Sequence, residues 1–173
     1  MKYNHQFYDL YFTTATILEW KCLLYENELK EIIIDSLRFL VTEQRTAIYA
    51  FVIMPNHFHV VWYIYPDYTL CNIQSALLSY TAHKFKQKLL QEDSSQLISY
   101  YVNLADRKYQ FWERNPLSVE IIYQHVLEQK IDYVHCNPCS KKWQLSDLPE
   151  NYKYSSAYLV NGRPFWDFVT LGL

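Results

Sequence analysis

The period of the apolar positions changes along the chain, and each change marks an element. Residues 8–18, YDLYFTTATIL, are β-branched and aromatic with partial alternation and predict a strand. Over residues 27–44, Leu29, Ile32, Ile33, Leu37 and Leu40 recur at helical spacing, with Asn27 as a candidate cap. Residues 46–54, TAIYAFVIM, form a near-continuous apolar run that predicts a central strand. Pro55-Asn56 interrupts it, and residues 57–65, HFHVVWYIY, predict a further strand closed by Pro66. Residues 70–91 predict a helix with Ile73, Leu77, Tyr80 and Phe85 on one side. A mobile polar loop is expected over 92–99, a strand over 107–112 (RKYQFW), and a last long helix over 118–136, capped by Ser118 and ended by Pro138. The tail from about 140 reads as mostly irregular. The order β, α, β, β, α, β, α predicts an α+β fold, one mostly antiparallel sheet with helices packed on it.

Composition narrows the chemistry. The chain has 173 residues, half of them apolar, enough for one domain with its own hydrophobic core. It has two glycines, Gly162 and Gly172. A Walker loop, a dinucleotide fingerprint or a kinase glycine loop is therefore excluded, and any phosphate must be handled by side chains or a metal. Sixteen Lys and Arg against 18 Asp and Glu give a net charge of −2, so nucleic-acid binding would rest on a local patch rather than on overall charge. The first residues, MKYNHQFYDL, lack the apolar core of a signal peptide, and no run of about 18 apolar residues predicts a membrane span. A cytoplasmic location with free thiols at Cys22, Cys71, Cys136 and Cys139 is expected.

Two constellations carry chemistry. His57 and His59 flank Phe58 within a predicted strand, so both imidazoles share one face, with Cα atoms roughly 6.5–7 Å apart, while Phe58 points to the core. Both rings can reach one metal ion, although a third ligand is then required. Two ordinary histidines on the polar face of an edge strand is the alternative. In the stretch DYVHCNP, Tyr133 and Asn137 lie on one helix face, one turn apart. An asparagine carbonyl is a hard oxygen ligand suited to Mg²⁺ or Mn²⁺, and a phenol one turn away would sit near whatever that ion binds. Tyr123 has Leu127 at the corresponding place and lacks such a partner. The alternative is a Tyr133 packed on the sheet and an Asn137 that caps the helix end.

The strings FVIMPNHFHVVW (51–62), KYQFWER (108–114), DYVHCNP (132–138) and YKYSSA (152–157), in this order and spacing, resemble the REP-associated tyrosine transposases. These are domesticated relatives of the single-tyrosine insertion-sequence transposases, in the HUH nuclease superfamily. The resemblance runs from about residue 8 to 158. It implies a ferredoxin-like or RRM-like HUH nuclease fold over a single domain, 1–173. It implies His57 and His59 as metal-binding histidines, Tyr133 as nucleophile and Asn137 as third metal ligand. It assigns Tyr154-Ser155-Ser156 to a recurrent motif of structural role. Cys136 and Cys139 stand where relatives carry a polar and a small apolar residue.

The implied reaction is cleavage and rejoining of single-stranded DNA near a hairpin, through a 5′-phosphotyrosine link and a free 3′-OH. A divalent cation, Mg²⁺ or Mn²⁺, would offset charge on the phosphate. His135, two positions from Tyr133 on a helix, faces away from it and receives no role. His83, Lys84, Lys86 and Lys88, with Arg107 and Lys108, form a candidate phosphate-contacting patch, or else a solvated helix face. A homodimer in which the tyrosine helix serves a partner's sheet is left open. Two other readings compete. One is a zinc or redox protein built on Cys136-x-x-Cys139, with His57 and His59 completing a Cys₂His₂ site. The other is an aromatic-rich nucleic-acid-binding module without catalysis.

Overall fold

In the computed structural model, which describes residues 7–171, a four-stranded antiparallel sheet is flanked by helices. In chain order the main elements are β1 (Leu10–Thr16), α1 (Asn27–Thr42), β2 (Thr46–Met54), β3 (His57–Ile64), α2 (Leu70–Gln91), β4 (Leu117–Glu120) and α3 (Gln124–Cys136). The strands run in the spatial order β2-β3-β1-β4, so β3 and β1 are central. A short hairpin, β5 (Leu159–Val160) and β6 (Arg163–Pro164), follows in the tail. No helix of the described residues is long and apolar enough to cross a membrane.

The two-residue period of the strands sorts side chains onto two unlike faces. Phe58, Val60, Trp62 and Ile64 of β3 join Phe51 and Ile53 of β2 in the larger core, beneath Leu29, Ile33 and Leu37 of α1 and Ile73, Leu77 and Phe85 of α2. The other face carries Leu10 and Phe12 of β1, Val52 and Met54 of β2 and Val61 of β3, covered by Leu127 and Val134 of α3. His57 and His59 belong by parity to this second face, and Phe58 points the opposite way, as the sequence predicts. A bulge between Ile48 and Ala50 resets the parity of β2, which keeps Ile48 in the first core and Ala50 in the second. Phe58 is fully buried and packs edge-on to Trp112, with ring centroids 5.5 Å apart. Phe58→Ala is expected to cost about 3–5 kcal/mol in urea unfolding, because the void opens between sheet and helices.

Five expectations are corrected. Residues 107–112 are not a strand: Tyr109 and Trp112 make single bridges, to Tyr101 and Ile17. Their aromatic rings plug the core instead, Phe111 stacking on Tyr100 and Trp112 meeting Phe85. The fourth strand is Leu117–Glu120, paired with Tyr11–Thr14 of β1. The last helix therefore starts at Gln124 rather than 118, and the Ser118 hydroxyl bonds Thr13 Oγ1 across the sheet at 2.9 Å instead of capping. Asn27 is the first residue of α1 and not its cap, and its Oδ1 accepts from Lys30 Nζ. Tyr80 is half-exposed, and Thr81 takes the buried position on α2. The 92–99 stretch is partly ordered as a 3₁₀ turn over Ser95–Tyr100.

The tail covers the outer edge of β2. Ile53 N donates to Tyr154 O, Phe51 N to Ser156 Oγ and Thr170 N to Ile48 O. These bonds satisfy an edge that would otherwise invite pairing with another chain.

Candidate active site

The register of the sheet builds the site. In the β1–β3 pair, Thr14 stands directly opposite His59, and its Oγ1 lies 2.7 Å from His59 Nδ1. The adjoining Pro55-Asn56 turn holds His57, whose Nδ1 is 2.6 Å from Asn56 Oδ1. Asn56 Nδ2 donates to the Trp20 carbonyl at 3.1 Å, which fixes the orientation of the amide. Its Oδ1 can only accept, so His57 carries its proton on Nδ1 and keeps a lone pair on Nε2. The two imidazoles lie with centroids 4.7 Å apart, tilted by 70°.

Both rings are buried, and β3 is a central strand, so the edge-strand alternative does not hold. Burial is the largest cause holding His57 down to about 4 and His59 down to about 3. Lys142 adds to the first effect, and His57 and then Lys130 add to the second. Both imidazoles are neutral at physiological pH, the form that binds a metal. His59 Nε2 is buried and has no hydrogen-bond partner among the described residues. An orphaned ring nitrogen of this kind costs about 1–3 kcal/mol, which a bound ion would offset.

Helix α3 brings the other residues across the same face. Tyr133 is half-exposed, and its ring centroid lies 5.2 Å from that of His59 and 5.9 Å from that of Phe12. One turn on, Asn137 is buried at the helix end, where a 3₁₀ turn over Asn137–Cys139 begins. His57, His59, Tyr133 and Asn137 line one open cavity of about 710 Å³, together with Thr14, Trp20, Lys130, Cys136, Lys142 and Trp143. Tyr123, by contrast, lies just before α3, stacks on His125 and does not line the cavity. The helix is pinned from behind: His135 Nε2 meets Ser156 Oγ at 2.8 Å, so the residue given no chemical role ties α3 to the Tyr-Ser-Ser segment and through it to β2.

The donor set fits a divalent cation. Two neutral imidazoles, each held at Nδ1 by a neighbour, and one amide form a mixed nitrogen–oxygen set with room for other ligands. No three His, Cys, Asp or Glu side chains converge among the described residues, so the Cys₂His₂ alternative is not assembled. Cys136 and Cys139 are free, and Cys139 Sγ lies 3.6 Å from Ser146 Oγ.

Of the basic residues the sequence selects, none lines the cavity. His83, Lys84, Lys86 and Lys88 ride on α2, on the opposite side of the sheet. Lys88 pairs with Glu28 and Glu92, Arg107 pairs with Asp106, Lys86 lies over Tyr109 and Lys84 over Tyr80. The cations at the cavity are Lys130 and Lys142, which sequence reasoning missed. Lys130 was findable, because it lies three residues before Tyr133 and thus on the same helix face. Lys142 was not, because it follows the helix in irregular chain.

Asn56, which with Pro55 interrupts the apolar run, also sets the His57 tautomer. Asn56→Ala is expected to weaken Mn²⁺ binding about 10–100-fold in a calorimetric titration. Asn56→Asp, which keeps an acceptor for His57 Nδ1–H, should weaken it less.

No protein-family model and no curated protein matches the sequence. Solved structures of similar fold include two chains. One is a REP-associated tyrosine transposase bound to a REP hairpin, with a TM-score of 0.62 and 14% identity, covering all of this chain and 97% of that one. The other is a Deinococcus radiodurans chain described as a transposase, with a TM-score of 0.50 and 14% identity, covering 78% of this chain and 92% of that one. At this identity the likeness concerns the fold, and it meets the family that the sequence motifs resemble.

Proposed function

We propose that this protein cleaves and rejoins single-stranded DNA beside a hairpin, using Tyr133 as nucleophile. The observation that carries the reading is the approach of Tyr133 to His59 within one chain, at 5.2 Å between rings, in a cavity that also holds His57 and Asn137. A tyrosine, two neutral imidazoles and an amide at one place form a set suited to phosphodiester transfer. The structural neighbour bound to a REP hairpin supports a hairpin-bearing DNA as substrate.

In this mechanism the scissile phosphate enters the open cavity. The Tyr133 hydroxyl loses its proton, and its oxygen attacks phosphorus. The bond to the 3′-oxygen breaks, and that oxygen takes up a proton as a free 3′-OH. The 5′-phosphate is left on Tyr133 as an aryl phosphodiester. A second 3′-OH then attacks this phosphorus and releases the tyrosine, so the bond energy is conserved for joining. His57, His59 and Asn137 would hold Mg²⁺ or Mn²⁺, which when bound polarises the phosphate and neutralises charge that develops on it. Thr14 and Asn56 hold the two imidazoles in place. Lys130, one turn before Tyr133, places a cation at the cavity wall, where it favours an anionic phosphate or phenolate. The strand must be unpaired at the cut, because a duplex would keep its phosphate out of a recess between a sheet and a helix. Tyrosine and histidines of one chain meet at this cavity, which supports a reaction that uses the chain's own tyrosine.

The test is incubation of the protein with Mn²⁺ or Mg²⁺ and hairpin-bearing single strands from the flanks of its own gene. The expected result is a protein–DNA band that survives denaturing electrophoresis and disappears with chelator. Metal-independent binding with no such band on any strand would instead establish a binding module without catalysis.

A further inference from the structure

The mouth of the cavity carries two indoles that the transfer chemistry does not use. Trp20 is 58% exposed, an unusual state for so large an apolar side chain. Its ring lies 6.3 Å from that of His57, and the half-buried Trp143 lies 5.9 Å from the same imidazole. Lys142 Nζ sits between them, 5.8 Å from the Trp20 ring centroid and 5.2 Å from that of Trp143.

The backbone beneath Trp20 is held in place at a cost. Glu19 and Trp20 are consecutive residues in the left-handed region, with φ of 55° and 57°, a conformation rare for side chains of this size. The segment is tied down on all sides. Ile17 N donates to Asn56 O, Leu18 N to Phe111 O and Glu19 N to Glu113 Oε1, and the Trp20 carbonyl accepts from Asn56 Nδ2. A strained backbone that presents a large aromatic to solvent, beside His57, contributes little to packing. It points instead to a ligand.

We propose that Trp20 and Trp143, with Lys142 between them, bind the unpaired nucleotide next to the scissile phosphate. This rests on the reading of the cavity as a DNA site and adds to it how the strand is gripped. The base stacks on an exposed indole, since every base offers a π-face, and Lys142 turns from the indoles to the adjoining phosphate. The grip is tolerant of sequence, so recognition of a particular site has to come from elsewhere on the molecule.

The test uses two 12-nucleotide probes, oligo-dT and an abasic strand of the same length and charge, with binding read by fluorescence anisotropy. The wild-type protein is expected to prefer oligo-dT by about tenfold or more. Trp20→Ala should remove most of that preference, and Trp20→Phe should keep much of it. Lys142→Gln should weaken both probes alike and reduce the slope of log affinity against log salt by about one. Trp20→Gly is the sharpest variant, because glycine accepts the positive φ without strain. Its melting temperature should equal or exceed that of the wild type while the preference for bases is lost. A purely structural Trp20 would instead lower the melting temperature and leave the preference intact. Equal binding of the two probes by the wild type, or a preference unchanged in folded Trp20→Ala, would overturn the proposal. Tyr123→Phe, which lies outside the cavity, should bind both probes as the wild type does. In the wild-type protein, base preference without a covalent band counts against the Tyr133 reading alone, and a covalent band without base preference counts against Trp20 and Trp143 alone.

Discussion

Replacing Tyr133 with phenylalanine is expected to abolish the covalent protein–DNA band, a loss of at least about 10³-fold, because no other group at the site can form the aryl phosphodiester. The substitution removes one oxygen and keeps the ring that meets Phe12 and His59. The side chain is half-exposed and no hydrogen bond among the described residues holds its hydroxyl, so stability should change by no more than about 0.5 kcal/mol. Loss of the band with an unchanged melting curve would separate chemistry from folding. Tyr123→Phe serves as the companion variant. It lies just before the first residue of α3, at the opposite end of the helix from Asn137, and it does not line the cavity. Its band should match the wild type. A band that persists in Tyr133→Phe would refute the assignment of the nucleophile.

The second large effect concerns His59. His59→Ala removes the ring whose buried Nε2 has no partner among the described residues and leaves Thr14 Oγ1 facing a void. Two readouts are expected. Manganese should raise the melting temperature of the wild-type protein, since a ligand that binds only the folded state stabilises it, by about 2.7 kcal/mol at a hundredfold excess over Kd. His59→Ala should lose this increment entirely, and the covalent band with it. Asn137→Ala should lose much of the increment as well, which distinguishes an amide ligand from a simple helix end. A Mn²⁺-dependent shift that survives in both variants would show that the ion binds elsewhere. Differential scanning calorimetry with and without the ion, at one protein concentration, makes the comparison.

Much of the molecule was legible before its coordinates. The alternation HFHVVW forced Phe58 into one core and both histidines onto the other face, because a strand offers no other arrangement. The four-residue spacing of Tyr133 and Asn137 put both on one side of α3, and both reach the cavity. The element order also stands, although the fourth strand lies at Leu117–Glu120 and not at 107–112. That error has a clear origin. Six residues rich in aromatic side chains look alike whether they pair with a strand or fill a core, and Phe111 and Trp112 do the latter under α2. The short exposed edge strand carries too weak a pattern to stand out.

Local periodicity thus determined the parity of the histidines, the shared face of the tyrosine and asparagine, and the α+β order, since each depends on residues a few positions apart. Tertiary structure alone decided which distant segments meet. It set Thr14 opposite His59, turned the amide of Asn56 between Trp20 and His57, and brought Lys142, Trp20 and Trp143 to one opening. It also carried the conspicuous lysines of α2 to the far side of the sheet. The physical reason is that these contacts are fixed by strand register and by the packing of α3 on the sheet, and neither leaves a short-range trace in the order of the residues.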